Sequence, residues 1–124
     1  MLDVRGSLEN LAWNTEHHFL HIKAGHPFIR IWAVQFELGY SDFRTIQMAL
    51  QLAEKMDLLK RFATAYNEVY NYEYAFVKGD IEGFNETYGD KIDDYMTAHK
   101  ELLAIIEEIK TFQPAIDPTE KNLI

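Results

Sequence analysis

One histidine interrupts an otherwise apolar seam. From Ile81 to Ile109 the apolar residues recur at alternating steps of three and four: Ile81, Phe84, Tyr88, Ile92, Tyr95, then His99, then Leu102, Ile106 and Ile109. That rhythm marks the buried stripe of a long amphipathic helix. An imidazole within such a stripe is a hydrogen-bonding group, a proton switch and a metal ligand. Two readings stay open for His99. It is either a neutral core imidazole bonded to a tyrosine or to backbone, or a ligand contact inside a helical bundle.

The remaining chemistry is sparse. In Glu16-His17-His18-Phe19-Leu20-His21, His17 and His21 are one helical turn apart and could grip one ion. The apolar stripe of that helix, Leu11, Thr15, Phe19 and Ile22, runs on the opposite side. Only His18 borders it, so His18 and His99 are the candidate metal ligands. Diiron bundle patterns fail, because no Glu-x-x-His occurs anywhere. Phosphate-loop, nucleotide-fold and serine-hydrolase signatures are missing as well. Glu73 admits two placements. In the seam Leu59, Phe62, Tyr66, Val69, Glu73, Phe76 it is internal; shifting the seam by one residue puts Tyr70 and Tyr74 inside and Glu73 outside. The second placement avoids burying a carboxylate and is preferred. The stripe Phe62, Tyr66, Tyr70 and Tyr74 is read as core and core-edge packing, with phenol tips reaching water. An enzyme would require Glu73 and His99 to face each other as a base pair within about 3.2 Å.

The elements that position these residues are helices. Ser7 can cap a first helix running to about Ala24, and Gly25-His26-Pro27 then breaks or kinks it. Phe28 to Leu38 is apolar nearly all round; it alternates enough for a strand, but no second strand exists to pair with it, so helix is favoured. Gly39 ends that element, and Ser41 or Asp42 caps the next, with Phe43, Ile46, Ala49 or Leu50, Ala53 and Met56 on its inner face. No Gly or Pro interrupts the chain from there to Val77, and a bend is expected near Asp57 to Lys60. Gly79 terminates and Asp80 caps before the last helix, which Gln113-Pro114 stops.

With 124 residues and an apolar share of 48%, the chain is expected to form one domain (7–24 N-terminal helix, 28–112 bundle core, 113–124 tail). The absence of cysteine excludes disulfides, thiolate metal sites and thioether-linked cofactors. No apolar run approaches the ~18 residues of a membrane span, and no secretory signal precedes the first helix, so a cytoplasmic location is expected. A net charge of −8 argues against nucleic acid as a partner. Residues 80–110 hold nine acidic and three basic side chains, hence −6 of that charge. This is the solvated face of one helix, or a docking face for a basic partner.

Ala75-Phe76-Val77-Lys78-Gly79-Asp80-Ile81-Glu82-Gly83-Phe84-Asn85-Glu86-Thr87-Tyr88 resembles the third-to-fourth helix junction of small c-prime-type cytochromes. Those bundles carry Ala, then Asp, Phe and Tyr at similar spacing, ahead of a Cys-x-x-Cys-His haem motif. Counted onward, that motif falls on Tyr95-Met96-Thr97-Ala98-His99. Ile29 to Glu54 is similar in rhythm to their first two helices, with Asp42-Phe43 in place of an Asn-Trp pair. The resemblance covers residues 28–114 without the usual long second connection. It implies an antiparallel four-helix fold. It also implies non-covalent haem as the alternative to no cofactor, with His99 as axial ligand and Tyr95 and Tyr88 beside it.

The expected architecture is therefore all-α, an antiparallel up-and-down four-helix bundle with an extra N-terminal helical segment. The expected function is non-enzymatic binding, through an apolar bundle pocket or the acidic last helix. The partner would be a protein or a small apolar ligand, and a homodimer is left open. The alternative is a haem- or metal-binding bundle centred on His99.

Overall fold

The structure, a computed structural model, describes the backbone at residues 1–24, 29–77 and 81–115, and side chains at 1–24, 37–75, 89 and 91–115. Four helices follow in order: α1 (Arg5–Lys23), α2 (Ile29–Leu52), α3 (Met56–Val77) and α4 (Ile81–Lys110). Each packs against its neighbours in the order α1, α2, α3, α4 and back to α1. Short connections make sequential neighbours antiparallel. The chain is an all-α four-helix bundle. The described residues hold no helix long and apolar enough to cross a membrane.

The N-terminal helix is one of the four, not an addition to them, because α2 runs without interruption through Gly39, Ser41 and Asp42. Gly39 is buried, and a Cβ built there would meet Leu11 of α1 at 4.0 Å. The glycine belongs to the α1–α2 packing and not to a terminus. Asp42 caps nothing either: its carboxylate takes a hydrogen bond from Ser7, and burial outweighs that bond in raising its pKa. Ser7 in turn lies inside α1, whose N-cap is Val4 without a side-chain cap. The Val4 amide donates instead to Gln113 Oε1 at 2.6 Å, tying the start of α1 to the segment after α4.

The break in the middle of the chain falls at Ala53–Lys55, ahead of the expected Asp57 to Lys60. Glu54 adopts φ 58°. The Lys55 amide reaches back to the Leu50 carbonyl and the Glu54 amide to the Gln51 carbonyl, both at 3.0 Å. These two bonds are the closing pair of a Schellman motif. Glu54 occupies the left-handed position that glycine usually takes, at a cost of about 1–2 kcal/mol. Glu54→Gly is therefore expected to raise stability by about 1 kcal/mol in denaturant unfolding; a decrease would show that the Glu54 side chain contributes a contact of its own.

The core follows the apolar seams. Leu8, Leu11 and Ile22 of α1, Phe43, Ile46 and Leu50 of α2, Phe62 and Val69 of α3, and Tyr95, Leu102 and Ile106 of α4 are all buried. Ile92 and Phe19 are partly buried against them, whereas Met56 is exposed. At the closed end, Arg61 pairs with Glu108 through two hydrogen bonds of 3.0 and 2.7 Å, and Lys55 lies 3.9 Å above the Phe112 ring. The expected breaks at Gly25-His26-Pro27 and at Gly79-Asp80 lie outside the described residues.

Candidate functional site

Opposite that end, three helices send polar groups into the core. Among the described residues the buried polar side chains are Thr15, His18, Glu73 and His99, each no more than 5% exposed. Their positions follow from helical spacing. Thr15 and His18 are one turn apart on the inner edge of α1, Glu73 continues the Phe62, Tyr66, Val69 seam of α3, and His99 lies one turn beyond Tyr95 on α4.

Glu73 is the centre. His18 Nδ1 lies 2.9 Å from its Oε2, and the Tyr95 hydroxyl donates to its Oε1 at 3.0 Å. Both carboxylate oxygens are thus engaged, by partners from α1 and α4. The Tyr95 phenol is held far above its ordinary pKa, first by burial and then by the Glu73 charge and hydrogen bond. It remains a protonated donor. A carboxylate buried on an apolar seam is costly unless its lone pairs are satisfied, and here two donors satisfy them. The expectation that Glu73 faces solvent is accordingly corrected, and so is its companion: Tyr74 is exposed and Tyr70 only half-buried. Glu73 also does not pair with His99, as an acid–base couple of those two would require.

His99 packs instead against Phe19, with ring centroids 4.1 Å apart and planes within 11°, and the Tyr95 ring lies 6.4 Å away. Its Nδ1 is buried and has no hydrogen-bond partner among the described residues. Burial lowers its pKa; Glu16 opposes this and Lys100 adds to it. The unfolded chain then binds the His99 proton more tightly than the folded one. Stability should fall as pH drops from about 6.5 towards the lowered folded value. His99→Phe keeps the stacked ring and removes the titration. It is expected to flatten the slope of unfolding free energy against pH between about 7 and 5, and to leave stability at neutral pH unchanged or up to about 1 kcal/mol higher. An unaltered slope would show that other groups carry the pH dependence.

His17 is tied locally, stacked on Trp13 at 3.6 Å with Nδ1 2.8 Å from the Trp13 carbonyl, and His21 is exposed. No three His, Asp or Glu side chains gather into a metal-holding group among the described residues. His18 spends its Nδ1 on Glu73.

Two cavities adjoin this network. The inner one, about 30 Å³, has Asn14, Thr15, His18 and Glu73 in its wall, room for about one water. The outer one is a groove of about 650 Å³ between α2 and α3, lined by Glu37, Tyr40, Ser41, Tyr66, Asn67 and Tyr70. Tyr66 and Tyr70 line both, so those two rings form the partition between surface groove and buried network. Tyr66 rests on Phe43 at 4.3 Å, and Tyr66, Tyr70 and Tyr74 continue outward at centroid spacings of 6.3 and 6.4 Å. Tyr66 is 8% exposed. Burial, followed by the charge of Glu73, pushes its pKa well above the ordinary phenol value, so it is neutral. The spacing of Tyr66, Tyr70 and Tyr74 marks one helical stripe in the sequence, but nothing local shows that Tyr40 of α2 stands across from it.

No protein-family model, curated protein or solved structure matches this chain. The likeness to c-prime-type cytochromes therefore stands on its own few residues, and the site can be tested for haem directly. Around His99 the interior is filled by the Phe19 ring stacked on the imidazole and by the wholly buried Tyr95, whose hydroxyl is committed to Glu73. The residues described around His99 do not fit haem. The Tyr88 side chain lies outside the described residues.

Proposed function

We propose that the protein is a non-enzymatic binding protein for a small ligand. The tyrosine-lined groove between α2 and α3 is its recognition site, and the His18–Glu73–Tyr95 network fixes the site from behind. The observation that carries this reading is Tyr66: a buried phenol ring shared by the groove and the inner cavity. A groove of about 650 Å³ has the size of a small-molecule site, with a few convergent polar groups among apolar surface. Behind it, Glu73 joins α1, α3 and α4 through hydrogen bonds, which favours a preformed site over one assembled on binding. The acidic outer face of α4 is the weaker candidate, since Glu107 and Glu108 are already paired with Lys110 and Arg61.

The test is a ligand-observed NMR screen of a fragment collection against the wild type and Ser41→Trp. Ser41 is exposed at the groove, so the indole should obstruct it while circular dichroism and melting temperature stay unchanged. Hits that vanish in Ser41→Trp support the groove. Hits retained in full would move recognition elsewhere.

A further inference from the structure

The charge around the groove narrows the ligand class. Among the described residues, Glu37 at the mouth and Glu73 behind the partition are its acidic groups, and neither cavity is lined by a lysine or arginine. An anion entering here would meet two carboxylates with no cation to balance them. A metal ion would find too few oxygen ligands, because hard cations take six or more. Three phenol rings, Tyr40, Tyr66 and Tyr70, line the groove instead, and phenols offer the π-electron density and hydroxyl acceptors that suit an organic ammonium group.

We infer that the groove recognises a small organic cation, its ammonium group held among Tyr40, Tyr66 and Tyr70 and paired with Glu37. This rests on the groove being the binding site. Glu37 is exposed and supplies attraction that salt screens. The rings supply the part that persists, since cation–π attraction strengthens as water is excluded.

Choline, its uncharged isostere 3,3-dimethyl-1-butanol and the anion 3,3-dimethylbutanoate separate charge from shape. Each is titrated into full-length protein carrying 13C-labelled tyrosine rings, with the ring resonances of Tyr40, Tyr66 and Tyr70 followed. Choline is expected to shift them saturably, with a dissociation constant about tenfold below that of the alcohol, the equivalent of about 1.4 kcal/mol. The carboxylate should leave them unmoved. Glu37→Gln, a surface change that spares the fold, should weaken choline severalfold and leave the alcohol untouched. Equal binding of choline and the alcohol would overturn the cation assignment while keeping the groove as a site. If none of the three moves these resonances, while fragments bind elsewhere, both the assignment and the groove fall.

Discussion

Glu73→Ala is expected to destabilise the protein by about 3–5 kcal/mol, the largest loss of any single polar substitution in the described core. The change removes the acceptor of two buried donors at once. His18, 5% exposed, and Tyr95, fully enclosed, would each lose its hydrogen bond to Glu73 within an apolar interior. Each buried hydrogen bond lost in this way costs about 1–3 kcal/mol, and the vacated carboxylate volume adds to that. Glu73→Gln should cost less, since the amide oxygen still takes one of the two bonds. The triple change His18→Leu, Glu73→Leu, Tyr95→Phe provides the contrast. It removes both donors together with their acceptor, so it should recover most of the loss seen in Glu73→Ala. Urea unfolding of the three variants gives the comparison. A loss below about 1 kcal/mol for Glu73→Ala would mean that water already reaches the carboxylate.

Ile106→Ala should cost about 2–5 kcal/mol, through lost transfer energy plus the cavity left behind. Ile106 is fully buried, as are Leu102 and Ile109 on the same face of α4, and it lies towards the end of the bundle held by the Arg61–Glu108 pair. The buried polar side chains Thr15, His18, Glu73 and His99 cluster towards the opposite end, so apolar neighbours surround the space, which favours the upper part of the range. The denaturant slope should stay the same, marking a change of stability and not of unfolded-state compactness. A loss under about 0.5 kcal/mol would put the buried face of α4 elsewhere.

Helix identity and inward faces were legible in the sequence wherever a seam of apolar residues at steps of three and four was sufficient. Leu8, Leu11, Phe43, Ile46, Leu102 and Ile106 are buried as that rhythm requires. Glu73 shows where local pattern stops. Its seam could be drawn in two registers one residue apart, and the choice turned on whether a carboxylate had a partner. That partner is His18, 55 positions away, on the opposite corner of the bundle. No reading confined to one helix reveals it. The same limit hid the groove, because Tyr66 and Tyr70 gain their meaning from Tyr40 and Glu37 on α2. The two misplaced breaks have simpler causes. Gly39 is a packing glycine inside a helix, and Glu54 takes a backbone conformation that carries no glycine to announce it.

His99 and His18 exchanged the roles that their positions suggested. His99, in the middle of the seam, packs on Phe19 with its Nδ1 unpartnered; His18, at the edge of its stripe, holds the hydrogen bond that crosses the bundle. The difference lies in what each faces. His18 reaches the one buried carboxylate on α3, while Tyr95, one turn before His99, reaches that carboxylate first.

The histidine side-chain 15N–1H spectrum of the protein, recorded for the wild type and Glu73→Gln, probes the buried network at its centre. His18 is expected to give a downfield Nδ1–H resonance, slow to exchange with water, that is lost or strongly displaced in Glu73→Gln, and perturbed when a ligand fills the groove beyond Tyr66 and Tyr70. A His18 ring that exchanges freely with solvent, indifferent to Glu73 and to groove ligands, would contradict this arrangement.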